Sequence, residues 1–267
     1  MPATGRPPFP PARSADRRAR QVPAVTRAVA ILRLLGKSDE PVGVNAIARA
    51  LGLVPSTCLH ILRALVSEGL VAVDPDTKRY GLDAGILTLA RSVMRRNGFA
   101  DVVQPVLDEL SQRHAVTAIG VQVVGLKHMV VVAISRSDLP LRIHVDIGSR
   151  FPALISATGR CFAAFGDHGW AALEKQFHKL RWDHPPAFAA WRAEVEQARA
   201  RGYAVDAGAY IRGVTIVAIP ILDHAALMTH SIVAVGVSEQ MARVGIAELA
   251  GEMRTLGAGV AERLGGH

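Results

Sequence analysis

Two cysteines in 267 residues, Cys58 and Cys161, cannot staple a chain of this size, and no Cys/His spacing resembles a zinc site. Such scarcity fits a reducing compartment. Long apolar runs are lacking as well. The longest hydrophobic stretch free of Lys, Arg, Asp and Glu is His224–Ser238, 15 residues, short of the ~20 that span a bilayer. The N-terminus carries arginines with no apolar segment behind them, which is not a secretory signal. The motifs GxxxxGK(S/T), GxSxG, GxGxxG and HExxH are all missing, and acid/base pairs are scarce in the apolar runs. The ten histidines are scattered without ligand spacing, so neither a metal nor a cofactor is expected. These absences predict a soluble intracellular (cytoplasmic) protein that is not an enzyme and has no membrane partner.

What is present is a large, unevenly charged chain. Half of it is apolar and a fifth charged, enough for packed cores, and its length leaves room for two domains because single cores rarely grow much past ~250 residues. Met1–Leu82 holds 12 Lys/Arg against 6 Asp/Glu, a net of +6, whereas the other 185 residues hold 19 against 17, a net of +2. A basic N-terminal unit ahead of a nearly neutral one points to a polyanion-binding module. A solubility tail explains the charge equally well, since residues 6–20 alone carry a net of +4.

Residues 1–23 mix six prolines with arginines and read as a disordered basic arm. From Thr26, Ala28, Ile31, Leu32 and Leu35 recur at helical spacing, and Gly36 ends the helix. Pro41 breaks the chain, Asn45 is placed to cap a second helix, and Gly52 permits a sharp turn before a third helix starts at Ser56 or Thr57. This is the spacing of a helix-turn-helix. At about 100° per residue, Ser56, His60, Arg63 and Ser67 share one face, with Cys58, Ile61, Leu62 and Leu65 opposite. Those polar groups can bond phosphates and base edges. Leu70–Val73 and Lys78–Leu82 read as strands about an Asp74-Pro75-Asp76 turn, a wing with Lys78 and Arg79 at its basic tip.

Asp83–Asn97 reads as a helix apolar on more than one side, a linker and dimer contact over residues 83–98. Residues 99–267 then read as an α+β domain with a largely antiparallel sheet. Helices are expected at Asp101–His114, from about Thr158, at Gly169–Leu180, Ala189–Arg201 and Val244–Leu264. Strands are expected at Val116–Val124, Met129–Ser135, Leu141–Asp146, Tyr203–Asp206, Gly213–Leu222 and Ser231–Ser238.

In this order and spacing the chain resembles the IclR family of bacterial transcriptional regulators. The resemblance rests on Thr26–Leu32, on Ile47–Leu53 with Ser56-Thr57, Leu62, Leu65 and Gly69–Val71, on Leu141-Arg142 leading to Gly148–Pro152, on Ala157–Arg160, on Arg201–Asp206, and on Gly213–Pro220 with Ile232–Ser238. It implies a winged helix-turn-helix at 24–82 and a GAF-like effector-binding domain at 99–267. Where the family commonly has a lysine before Ser-Thr and a His-Arg pair after, this chain has Pro55 and Leu59-His60, and Arg160 replaces a usual lysine. The implied partners are double-stranded DNA with a palindromic operator, a small-molecule effector such as a small or aromatic carboxylate, and further copies in a homodimer or tetramer.

Candidate DNA-contacting residues are then Thr26, Arg27, Asn45, Pro55, Ser56, Thr57, His60, Arg63, Lys78 and Arg79. Those matching the family's effector contacts are Phe151, Ala157, Thr158, Gly159, Asp206, Ile216, Gly236 and Ser238. A helix start at Ala157–Gly159 offers unpaired N–H groups and a positive dipole end to a carboxylate. Asp206 would repel that carboxylate, so it is expected to order a neighbouring loop or bond an effector hydroxyl. Cys161 reads as a small buried residue. Two other readings stay open: an enzyme localised by its basic segment, and a DNA-binding protein without a ligand.

Overall fold

The computed structural model describes residues 22–96, 98–136 and 143–265. Two compact units divide between Val93 and Met94, and each is taken by itself. Among the described residues no single helix is long and apolar enough to cross a membrane.

The first unit begins with α1 (Pro23–Leu35). It starts three residues before Thr26 and takes in Pro23, because the fixed φ of proline suits the first helical position. The rest of the proposed arm, residues 1–21, lies outside the described residues. Next come β1 (Val42–Gly43), α2 (Val44–Leu51), α3 (Pro55–Ser67), β2 (Val71–Val73) and β3 (Arg79–Leu82). Asn45 does not cap α2: Gly43 holds the cap position, with no side-chain bond, and Asn45 lies exposed inside the first turn. Likewise α3 starts at Pro55 rather than at Ser56 or Thr57, with Val54 at its cap. The strands pair antiparallel in the order β1-β3-β2, and the two-residue β1 is too short to signal itself in the sequence. Ile31, Leu35, Ile47, Ala48, Cys58, Leu62, Leu65, Val71 and Tyr80 form the core.

Helix α4 (Gly85–Arg96) leads to the second unit. It holds α5 (Gly98–His114), β4 (Thr117–Val124), β5 (His128–Ile134), β6 (Arg150–Pro152), α6 (Ser156–Ala164), α7 (Trp170–Phe177), α8 (Phe188–Arg201), β7 (Ala204–Ala207), β8 (Val214–Leu222), β9 (Met228–Val237), α9 (Ser238–Val244) and α10 (Ile246–Gly265). The α+β class expected from the sequence is the one observed. Six strands pair antiparallel in the order β6-β5-β4-β9-β8-β7.

Both faces of the sheet are buried, and side chains alternate between them. Ala118, Val217, Ile219, Ile232 and Ala234 pack with α5 and α10, whereas Ile119, Val121, Ile216, Ala218, Val233 and Val235 pack with α6, α7 and α8. Three expectations need correction. The run Leu141–Asp146 is not a strand: Ile143–Asp146 is irregular, Leu141 and Arg142 lie outside the described residues, and the edge strand is β6. Helix α6 begins two residues before Thr158. Ser238 opens the separate short helix α9 instead of ending a strand.

Candidate functional site

In the first unit the axes of α2 and α3 meet at 113°, within the range of helix-turn-helix pairs. Gly52 makes the turn at φ +63°, where a β-carbon would be strained. Cys58, Leu62 and Leu65 anchor α3 in the core, which leaves Ser56, His60, Arg63 and Ser67 exposed together. Arg63 has no ion-pair partner among the described residues. Ser67 differs from its neighbours in that its hydroxyl donates to the Ala64 carbonyl at 2.8 Å. Pro55 is exposed at the start of α3 and Thr57 is half-buried; Thr26 and Arg27 are exposed on α1. The Thr26 hydroxyl reaches back to the Val22 carbonyl at 3.4 Å.

The wing turn is closed by Asp74, whose Oδ1 accepts the N–H of Thr77 at 2.7 Å and of Asp76 at 3.0 Å. The Thr77 bond is the main reason its carboxyl is held below the usual carboxylate range. Lys78 sits at φ +53° beside this turn and projects into solvent. Arg79 is tethered, its Nη1 donating to the Pro41 carbonyl at 3.4 Å.

In the second unit a cavity of about 150 Å³ lies between the sheet and the start of α6. Ile119, Val121, Met129, Ile216, Val233 and Val235 form its floor, Phe151 and Tyr210 its aromatic walls. Ser156 and Thr158 bring hydroxyls to its edge, and neither hydroxyl has a hydrogen-bond partner among the described residues. Among the described residues no Lys, Arg, Asp or Glu lines it, and His144 does. The N–H groups of Ser156, Ala157 and Thr158 precede the first intrahelical bond, which Gly159 donates to the Ile155 carbonyl at 2.9 Å. Ser156 takes φ +58°, a left-handed conformation rare outside glycine. Gly159 carries no side chain because a β-carbon there would overlap the Leu154 backbone. A positive helix end, two hydroxyls without partners among the described residues and a mostly apolar chamber, with His144 and Tyr210 also on its lining, can hold a small anion with an apolar body.

Of the residues matched to effector contacts, the structure brings Phe151, Thr158 and Ile216 to this cavity and leaves the others off it. Ala157 is buried in the core behind α6. A β-carbon on Gly236 would meet Met241 at 2.9 Å, so this glycine lets α9 pack on β9. The Ser238 hydroxyl lies 2.9 Å from that of Thr215. Asp206 is fully buried: its Oδ2 lies 3.0 Å from Nη1 of Arg160, and its Oδ1 accepts the N–H of Ala209 at 3.0 Å and of Tyr210 at 3.1 Å. It therefore orders a neighbouring loop, one of its two expected roles. Cys161 is buried, its Sγ 3.3 Å from the Ala218 carbonyl, and desolvation pushes its thiol up to about 12.

Sequence reasoning missed Ser156, Ile143, His144, Val145, Tyr210 and Ile211, all on the cavity. Tyr210 and Ile211 could have been found as apolar residues stranded in a loop between Gly208 and Gly213. The left-handed Ser156 carries no sequence signal.

Residues 91–261 match the family described as bacterial transcriptional regulator IclR C-terminal, and residues 24–75 match the IclR helix-turn-helix domain. A glycerol operon regulatory protein of Streptomyces griseus is 28% identical over 254 residues, covering 92% of this chain and 98% of its own. Among solved structures, a transcriptional regulator from Alicyclobacillus acidocaldarius aligns with TM-score 0.75 at 23% identity, over 91% of this chain and 98% of its own. An IclR homologue from Microbacterium hydrocarbonoxydans, complexed with 4-hydroxybenzoate, aligns with TM-score 0.73 at 17% identity over 90% and 98%. At such identities the structural likeness is one of fold.

Proposed function

The chain belongs to the IclR family of bacterial transcriptional regulators, and from that premise we propose that a small carboxylate, bound at the start of α6, sets how well α3 holds its operator. It is a DNA-binding regulator with an effector-binding C-terminal domain, and the members of its family are regulators rather than enzymes. The carboxylate is our reading. One observation carries it: the N-terminus of α6 and the hydroxyls of Ser156 and Thr158, without partners among the described residues, meet a mostly apolar cavity of about 150 Å³. Aliphatic cavities of this order accept a benzene ring. The ring of an aromatic acid would lie among Ile119, Val121, Met129, Ile216 and Phe151, with its carboxylate toward α6. The 4-hydroxybenzoate in the Microbacterium homologue supports that class of ligand.

On the DNA side, the exposed Ser56, His60 and Arg63 would meet base edges and phosphates in the major groove, with Arg27 and Lys78 on the flanking backbone. Two copies related by a two-fold axis would read a palindrome, each α3 contacting one half-site. Within such an assembly, residues 24–82 serve as the DNA-binding domain and 99–267 as the effector domain.

Thermal denaturation with benzoate, 4-hydroxybenzoate and short aliphatic acids, each paired with its carboxamide, tests the ligand class. Acids should raise the midpoint and weaken or strengthen promoter binding in a gel shift, while the amides do neither. Equal stabilisation by acid and amide would remove the anion site from the proposal.

A further inference from the structure

Asp206 occupies a position matched to effector contact, yet the structure directs both its oxygens elsewhere. Oδ2 faces Arg160 at 3.0 Å, and Oδ1 holds the backbone N–H groups of Ala209 and Tyr210. Arg160, itself 3% exposed, donates its Nε to Glu194 Oε2 at 2.6 Å and lies 5.7 Å from the centre of the Trp182 ring. The residues after Trp182 bond the same loop as well. Asp183 N–H donates to the Tyr210 carbonyl at 3.3 Å, His184 N–H donates to the Ala209 carbonyl at 2.9 Å, and Asp183 Oδ2 accepts the Arg212 N–H at 2.9 Å. The backbone of Ala209 and Tyr210 is thus held through both its N–H groups and its carbonyls, and the two holds lead to one guanidinium, by Asp206 and by Trp182. The loop in question carries Tyr210 and Ile211 to the cavity.

We propose that Arg160 and Glu194, neither of which lines the cavity, are positioning residues that act through Asp206 and Trp182 to hold the 208–213 loop as the wall of the ligand site. The proposal rests on reading that cavity as the ligand site. The chemistry at position 160 is specific to arginine. Its planar fork meets two carboxylates in different directions while one face lies toward an indole ring; a lysine ammonium is a point charge on a flexible stem and cannot do all three. Arg160 also neutralises Asp206, so a buried carboxylate near the site does not repel an anionic ligand. Both oxygens of Asp206 are already engaged within the protein.

Amide hydrogen exchange of the full-length protein without ligand tests the loop directly. In Arg160→Lys, exchange at Ala209 and Tyr210 should speed up by about tenfold or more, while Val217 and Val233 in the central strands keep wild-type protection. Unchanged exchange at 209 and 210, or a uniform rise across the sheet, overturns the proposal. A benzoate titration of the same variant should show a parallel loss of affinity of about tenfold; a loosened loop with wild-type benzoate affinity also overturns it. If Arg160→Lys does not fold, Asp206→Asn serves, since it keeps an acceptor oxygen and loses the charge that pairs with Arg160. Should the wild type ignore benzoate, the aromatic-acid reading falls by itself, and the exchange data alone decide whether Arg160 holds the loop.

Discussion

The hydroxyl of Ser238 lies 2.9 Å from the hydroxyl of Thr215, which is buried on the neighbouring strand. With the bond from Ser238 N–H to the Gly213 carbonyl at 2.9 Å, this pair fastens the first residue of α9 to the start of β8. Ser238→Ala should therefore cost about 1 kcal/mol of stability and leave acid binding within twofold of wild type. Urea denaturation and a benzoate titration measure the two effects. Lost binding at unchanged stability would place the hydroxyl in the ligand site after all.

Thr158 has the opposite character: its hydroxyl borders the cavity and holds no partner among the described residues. Thr158→Val keeps the shape and removes the donor, so acid affinity should fall about tenfold, the fold-change expected for one hydrogen bond to a charged group. Thr158→Glu places a carboxylate where the ligand's would lie and should abolish the response altogether. Neither change should alter operator affinity measured without ligand. A normal acid response in Thr158→Glu would move the site elsewhere.

How far the sequence revealed this molecule depends on the range of the forces involved. Helical and strand periodicity locates α1, α3 and five of the six strands of the sheet, because those residues bury one face or two within a few turns of chain; the three-residue β6 carries no such period. Caps were misread at Asn45 and Ser56, since Gly43 and Val54 begin those helices through backbone geometry alone. At the cavity proposed for the ligand, the matching positions include Phe151, Thr158 and Ile216 but not Tyr210, whose N–H is bonded by Asp206, itself paired with Arg160 46 residues away in the chain. A contact of that kind leaves no local pattern.

Arg63 stands on the exposed face of α3, one helical turn from His60, with no ion pair among the described residues to restrain it. Arg63→Ala should weaken operator binding and lower the slope of log K against log salt by about 1, while the thermal midpoint stays at its wild-type value. Ser67→Ala is the matched control, because that hydroxyl is already bonded to the Ala64 carbonyl and its loss should leave gel-shift affinity unchanged. An unaffected salt slope in Arg63→Ala would take this residue out of the interface.

His230 makes the second unit sensitive to acid. Its ring stacks on Phe99 with centroids 4.2 Å apart, its Nδ1 lies 3.0 Å from the Thr229 hydroxyl, and its Nε2 is buried without a partner among the described residues. Burial pushes its pKa down to about 4, against ~6.5 in an unfolded chain. The unfolded state therefore takes up a proton that the folded state refuses. Stability from this residue is complete above pH ~6.5 and is lost as pH falls toward 4, by about 3 kcal/mol over the window. Glu252 acts with the same sign in a lower window: its hydrogen bond to His114, at 2.6 Å, lowers its carboxyl, so its contribution is present above the ordinary carboxylate range and lost at lower pH. Urea denaturation followed by the fluorescence of Trp170, Trp182 and Trp191, all in this unit, should thus show wild type weakening between pH 6.5 and 4.5. His230→Gln should be less stable at pH 7.5, having lost the stack on Phe99, and should lose most of the pH slope. Equal slopes in the two proteins would mean that the ring is accessible to protons in the folded state.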